Sequence, residues 1–304
     1  MAHITVMETP IIFDRHAVRL HRDRARNSLQ RVQPIIQAAA DRLLDRLDDT
    51  THRFSHALDI GGRGVSAPML RARGIEVVAT DLSPALCARE PGPCVCMDEE
   101  WLPFGAGTFD LVIANLSLHW VNDLPGTLVQ IRNILRPDGL FLACMPILPT
   151  LAELRQALIV AEHDLLGGAS VRISPFPGLR DCAALLQRAG FALPVADSDV
   201  IELAYRSPMM LLRDLRDAGE TNALVERHRA SPPVALFPAA LAGLPRDEQG
   251  NVAMPLHVAI MTGWAPAVTQ PRALKPGQFT TSLEDALGDE DGIADGGVDM
   301  PTAG

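Results

Sequence analysis

The segment Ala57-Leu58-Asp59-Ile60-Gly61-Gly62-Arg63-Gly64 constrains this chain most. An apolar run carrying one acid breaks into three glycines ahead of a helical stretch. That order is a strand turning sharply into a helix, where glycine lets the backbone approach a ligand closely. Short apolar runs recur at Glu76–Thr80, Cys94–Met97, Asp110–Ala114 and Leu140–Met145. Helical stretches lie between them, and strands alternating with helices predict an α/β fold around a parallel sheet. Gly74 and Gly139 sit where helices end and the chain turns back, positions that favour positive φ. Ligands of open α/β sheets bind outside the carboxyl ends of the strands, so the turns after these runs are the places to look for chemistry.

Each turn carries a polar group. A carboxylate at Asp59, ahead of Gly61, Gly62 and Gly64, suits a ligand bearing an ammonium group better than one bearing a pyrophosphate. The alternative is an ordinary glycine-rich turn. Asp81-Leu82-Ser83 ends the next run about twenty residues after the glycines, where an acid receives ribose hydroxyls; a helix cap by Ser83-Pro84 is the plainer reading. Asp98-Glu99 follows the third run, where Asp98 can accept from an adenine amino group. Trp101, Leu102 and Phe104 read as packing residues. Asn115 ends a buried run and is placed to touch ligand or substrate. His119 and Trp120 lie one turn beyond, His119 as a base, a substrate-binding group or a satisfied core histidine.

Charge narrows the partners. The formal net charge of −10 over 304 residues argues against nucleic-acid binding, which needs a basic surface. Seven acids between Glu284 and Asp299 supply much of it, so residues 285–304 read as an acidic, disordered tail. Five cysteines without a disulfide rhythm indicate a reducing, cytoplasmic compartment. Met1 to Arg26 lacks the order of a secretory signal, and no apolar run approaches the ~18 residues of a membrane span.

Ahead of the sheet, residues 1–50 read as two helices, one with Arg15, Arg19, Arg22 and Arg26 at helical spacing. That arginine run reads as a solvated face with Asp14 and Asp23 as counter-charges, or as a grip for an acidic partner. Residues 51–146 form the sheet-rich core. Residues 147–280 hold lid helices and the remaining strands: a helix over Asp181–Ala189, a strand pair around Phe191 and Val200–Tyr205, a helix over Met209–Ala218 and a late strand over Leu256–Thr262. The proline-rich stretch around Pro232-Pro233 and Pro238 reads as a loop. Cys94 and Cys96, with Cys87 nearby, lack an evident fourth ligand, and His21-Arg22-Asp23 lacks a partner histidine, so no metal site is assigned.

Asp59–Gly64, Asp81, Asp98, Phe109–Trp120 and Leu135-Arg136-Pro137-Asp138-Gly139 resemble the successive motifs of class I S-adenosylmethionine-dependent methyltransferases. Ile12-Phe13-Asp14-Arg15, Asp98–Phe104, Ser117–Pro125, Ile173–Phe176, Leu212–Asn222 and Met261–Trp264 further resemble the family of complex I assembly factors. The resemblance implies a Rossmann-like, mostly parallel seven-stranded sheet with helices on both faces and a helical lid. It also implies S-adenosyl-L-methionine as cofactor, held by Asp59, Gly61, Gly62, Gly64, Asp81, Leu82, Asp98, Glu99 and Asn115. Asn115, His119 and Trp120 would serve the reaction, hydroxylation of an arginine on a respiratory complex I subunit. Methyltransferases of malonyl carrier protein share a similar Asn-Leu-x-x-x-Trp segment, making methyl transfer to a small or carrier-bound carboxylate the alternative. A non-catalytic assembly scaffold is the third reading. The glycine turn is one residue shorter than the family's Asp-x-Gly-x-Gly-x-Gly, which sets Arg63 beside the expected cofactor.

Overall fold

The computed structural model describes residues 10–270. Two N-terminal helices, α1 (Arg15–Ala25) and α2 (Gln33–Asp48), precede the sheet. Asp14 caps α1 by accepting from the Ala17 amide at 3.0 Å. Pro34 opens α2, whose Ile36, Ala39, Ala40, Leu43, Leu44 and Leu47 form one buried stripe.

The core then alternates β1 (His56–Ile60), α3 (Ser66–Ala72), β2 (Glu76–Asp81), α4 (Pro84–Cys87), β3 (Cys94–Cys96), β4 (Phe109–Asn115), α5 (Leu124–Ile134) and β5 (Leu135–Pro146). After α6 (Ala152–Leu166) and α7 (Leu179–Ala189) come β6 (Ala192–Ile201), β7 (Ala204–Tyr205), α8 (Pro208–Asp217), α9 (Leu236–Ala242), β8 (Val252–Ala253) and β9 (Leu256–Trp264). The main sheet has seven strands in the order β3-β2-β1-β4-β5-β9-β6. Only β9 runs against its neighbours. β7 and β8 form a separate small sheet.

The central strands are apolar on both faces, as a doubly covered sheet requires. Leu58, Ile60, Val112, Phe141 and Ala143 pack toward α5 and α7. Ala57, Leu111, Ile113, Leu140 and Leu142 pack toward α2 and α3. α6, α8, α9 and the small sheet build a core of their own around Leu154, Leu158, Tyr205, Leu211, Leu236 and Val252. This satellite core is built from the segment expected to form the lid. No helix among the described residues is long and apolar enough to cross a membrane.

Several readings change. The strand pair around Phe191 and Val200–Tyr205 is one ten-residue strand, β6, followed by the short β7. The proline-rich loop contains α9, with Pro238 in its first turn, where its missing N–H has no helical role. Gly74 does adopt positive φ, but beside Gly139 it is Asp138 that does so, at φ 61°. A Cβ at Gly139 would lie 2.8 Å from the Arg136 carbonyl, so space selects glycine there. Trp101 is 74% exposed, while Leu102 and Phe104 pack against the core. The arginine run is not a solvated face: Arg22 is 1% exposed. The expected acidic tail, 285–304, lies outside the described residues.

Candidate active site

The carboxyl ends of β1, β2 and β3 bring four acids together. Asp59 is fully buried, and its Oδ1 has no partner. Burial and the neighbouring Glu90 charge push its carboxyl up to about 7. Gly61 takes φ 64°; a Cβ there would meet the Ser117 side chain at 2.6 Å, and one on Gly62 would lie 2.1 Å from Asp59 Oδ2. Both glycines therefore let the turn close on its own acid and on the next strand's end. Gly64, also at positive φ, has room beside it.

Asp81 Oδ1 accepts from the Ser83 amide at 2.8 Å, while Oδ2 is buried without a partner. Burial raises this carboxyl, and Arg22 opposes the rise. Leu82 packs with Phe13 and Trp120. Asp98 and Glu99 meet α1: Arg15 Nη2 donates to Asp98 Oδ1 at 2.8 Å and also to Glu99. Arg22 Nη1 donates to Glu99 Oε1 at 2.8 Å and lies 3.4 Å from Asp81 Oδ1. Burial would push Glu99 up, but Arg22 and Arg15 outweigh it and hold its carboxyl at about 2. Arg22 keeps two buried nitrogens, Nε and Nη2, unpaired.

Beyond β4 lies a cavity of about 140 Å³ between sheet and lid. His119 and Trp120 line it. His119 Nε2 is 2.8 Å from Glu220 Oε2, and the Trp120 indole donates to the same oxygen at 2.7 Å. Arg63, at φ 53°, donates to Glu220 Oε1 at 2.5 Å and to the Leu116 carbonyl at 2.7 Å. The residue that the short turn displaces thus joins the cavity wall and not the four acids. Burial would raise Glu220, but His119 and Arg63 hold it far below the usual carboxylate range.

Asn115 is fully buried; its Nδ2 donates to the Ile36 carbonyl at 3.0 Å, tying β4 to α2, and Oδ1 has no partner. It does not line the cavity. The structure thus groups Asp59, Asp81, Asp98 and Glu99 at one end, His119 and Trp120 at the other, with Asn115 beneath the sheet edge. Sequence reasoning passed over Glu220 and the role of Arg15 and Arg22. A signal existed for the arginines: seven residues apart on a helix they share a face, and the nearby turns hold acids in excess. Glu220 follows an amphipathic helix with nothing local to mark it. Among the described residues, no group of three or more His, Cys, Asp or Glu is placed to hold a metal ion.

The glycine cradle and the two orphaned carboxylate oxygens, on Asp59 and Asp81, fit a ligand carrying an ammonium group and a diol. Comparison with known proteins gives the family. Residues 58–143 match the methyltransferase domain family. The arginine-hydroxylase NDUFAF5, mitochondrial, of Danio rerio is 34% identical over 289 residues, 90% of this chain and 89% of its own. The malonyl-[acyl-carrier protein] O-methyltransferase of Laribacter hongkongensis is 32% identical over 286 residues, 87% of this chain and 94% of its own. The YcgJ protein of Bacillus subtilis shares the fold at a TM-score of 0.51 and 14% identity, over 74% of this chain and 98% of its own. Motif order, strand order and whole-length similarity converge: the chain belongs to the class I S-adenosylmethionine-dependent methyltransferase superfamily, in the family shared by NDUFAF5-type arginine hydroxylases and malonyl carrier-protein methyltransferases.

Proposed function

We propose that this chain binds S-adenosyl-L-methionine and modifies an arginine side chain on a protein, a subunit of respiratory complex I, in the manner of the NDUFAF5-type relatives. The observation that carries this reading is the pairing of orphaned Asp59 and Asp81 oxygens with a tight glycine turn, beside which Arg63 lines a separate cavity. In this reading Asp81 receives the ribose hydroxyls and Asp59 the ammonium group. Gly61 and Gly62 let the backbone close on the methionine portion, with Leu82 beside the nucleoside. Arg15 holds Asp98 and Glu99, so seating adenine against Asp98 requires that arginine to yield. When bound, the cofactor supplies a sulfonium-activated carbon.

The chain's own residues then do the positioning. Glu220, locked by Arg63, His119 and Trp120, fixes the inner wall. His119, on the same wall, is fixed through Nε2 by Glu220. Orientation of the acceptor against a fixed wall is the main source of rate in such sites. The five described cysteines are free, which supports work in a reducing, cytoplasmic compartment.

Titration calorimetry with S-adenosylmethionine and S-adenosylhomocysteine tests the cofactor. Micromolar binding supports the reading, and absence of binding at millimolar ligand leaves a scaffold that keeps only the fold. Mass spectrometry of a complex I arginine peptide after incubation separates gain of one oxygen from gain of a methyl group. The similarity to malonyl carrier-protein methyltransferases over 94% of their length favours a second reading, methyl transfer to a carrier-bound carboxylate. Turnover of malonyl carrier protein in place of the arginine peptide would establish it.

A further inference from the structure

The charges on the cavity wall are not evenly answered. Arg63 is met by Glu220 at 2.5 Å, and Glu220 also by His119 and Trp120. Arg172 is met by Glu162 at 2.6 Å. Asp214, on α8, lines the same cavity and makes no ion pair with any described residue. The hydroxyl of buried Tyr205 interacts with it and favours its ionised form, while burial pushes its carboxyl up. Around it stand Ile35, Leu116, Phe176, Leu203, Leu211 and Leu215, an apolar sleeve.

His119, also on the wall, is already held through Nε2 by Glu220. Both arginines of the cavity are likewise engaged, so a carboxylate entering here would find no free cation and would face Asp214. A guanidinium on an aliphatic stem would match both the apolar wall and that acid.

We propose that Asp214, with Tyr205 beside it, is the specificity-determining residue that receives the cationic head of the acceptor side chain and excludes a carboxylate. The proposal rests on the cavity being the acceptor site of the function given above. It assigns to α8 a role that the glycine turns do not share.

Calorimetry with N-acetyl-arginine amide and its neutral citrulline counterpart, with and without S-adenosylhomocysteine, tests it. The arginine probe should bind at least about tenfold more tightly than the citrulline probe, as a charge-assisted contact requires. Asp214→Asn should reduce that preference to about threefold or less, with S-adenosylhomocysteine affinity unchanged. Tyr205→Phe should weaken it by a smaller factor and serves if the first variant does not fold. Equal binding of the two probes, no binding of either, or a preference that survives Asp214→Asn and Tyr205→Phe would overturn the assignment. Failure of S-adenosylhomocysteine to bind while the arginine preference holds would instead overturn the cofactor reading and leave the cation site standing.

Discussion

The acid cluster at the ends of β1 to β3 and the cavity beyond β4 occupy the same edge of one sheet, yet they are built in opposite ways. The cluster is local and polar. Asp59, Asp81, Asp98 and Glu99 each sit at or just after a strand's carboxyl end, and helix α1 answers the last three with two arginines. The cavity is distant and mostly apolar. Its wall draws on α2, the Arg63 turn, the Leu116–Trp120 segment, the Arg172–Phe176 loop and α8. A group left unpaired at a strand end can be completed by a ligand, whereas a charge buried between far-apart segments, such as Arg63, must find its partner within the wall; Asp214, only half-buried, is the exception. That explains why Asp59 and Asp81 keep orphaned oxygens, while both oxygens of Glu220 are taken.

If the two regions are independent, damage to one should spare the other. Glu220→Ala strands buried Arg63 and removes the partner of His119 and Trp120. Urea unfolding should show a loss of about 3–5 kcal/mol, the cost of breaking a buried pair by deleting one side. The folded remainder should still bind S-adenosylhomocysteine; a parallel loss of that affinity would merge the two regions into one. Asp81→Asn should do the reverse. It removes the charged acceptor proposed for the ribose, so S-adenosylhomocysteine affinity should fall about tenfold to a hundredfold, while the arginine probe binds as before.

Asp59 sharpens the contrast through pH. Its folded carboxyl sits at about 7 against an ordinary 3.8. The folded protein therefore holds a proton that the unfolded chain has released, and stability from this group is full below the ordinary value and lost as pH rises through about 7. Between pH 5 and 7.5 the wild type should lose stability relative to Asp59→Asn, measured by denaturant unfolding in matched buffers. Parallel courses for the two proteins would remove Asp59 from the account. Trp101, exposed beside the cluster, should matter least: Trp101→Ala should change stability by under about 0.5 kcal/mol and leave both ligand affinities intact.

What was legible in the sequence follows from this division. The five strand-end turns of the core carry their signals within a few residues: apolar run, acid, glycine or proline. β1, β2 and β4 accordingly fall within a residue of their expected bounds, and the sheet's parallel order follows from the helices between them. The lid was less legible. α6 had no clear marker, Pro238 concealed α9, and β6 read as two pieces because the polar run Asp197-Ser198-Asp199 interrupts its apolar residues. The arginines of α1 read as solvated because helical spacing records which residues share a face and not what that face meets.

The sequence by itself determined the α/β fold, the ends of the strands and the acids and glycines of the turns that follow them, since hydrophobic period and turn chemistry act over short distances. The tertiary structure alone decided that Arg15 and Arg22 cap those turns, that Arg63 pairs with Glu220, and that Asp214 and His119 face one cavity. These partners lie from 59 to 157 residues apart where they pair, as in Arg22 with Asp81 and Arg63 with Glu220. Charge compensation at that range depends on which segments the packed sheet and lid bring into contact, and no local pattern encodes it.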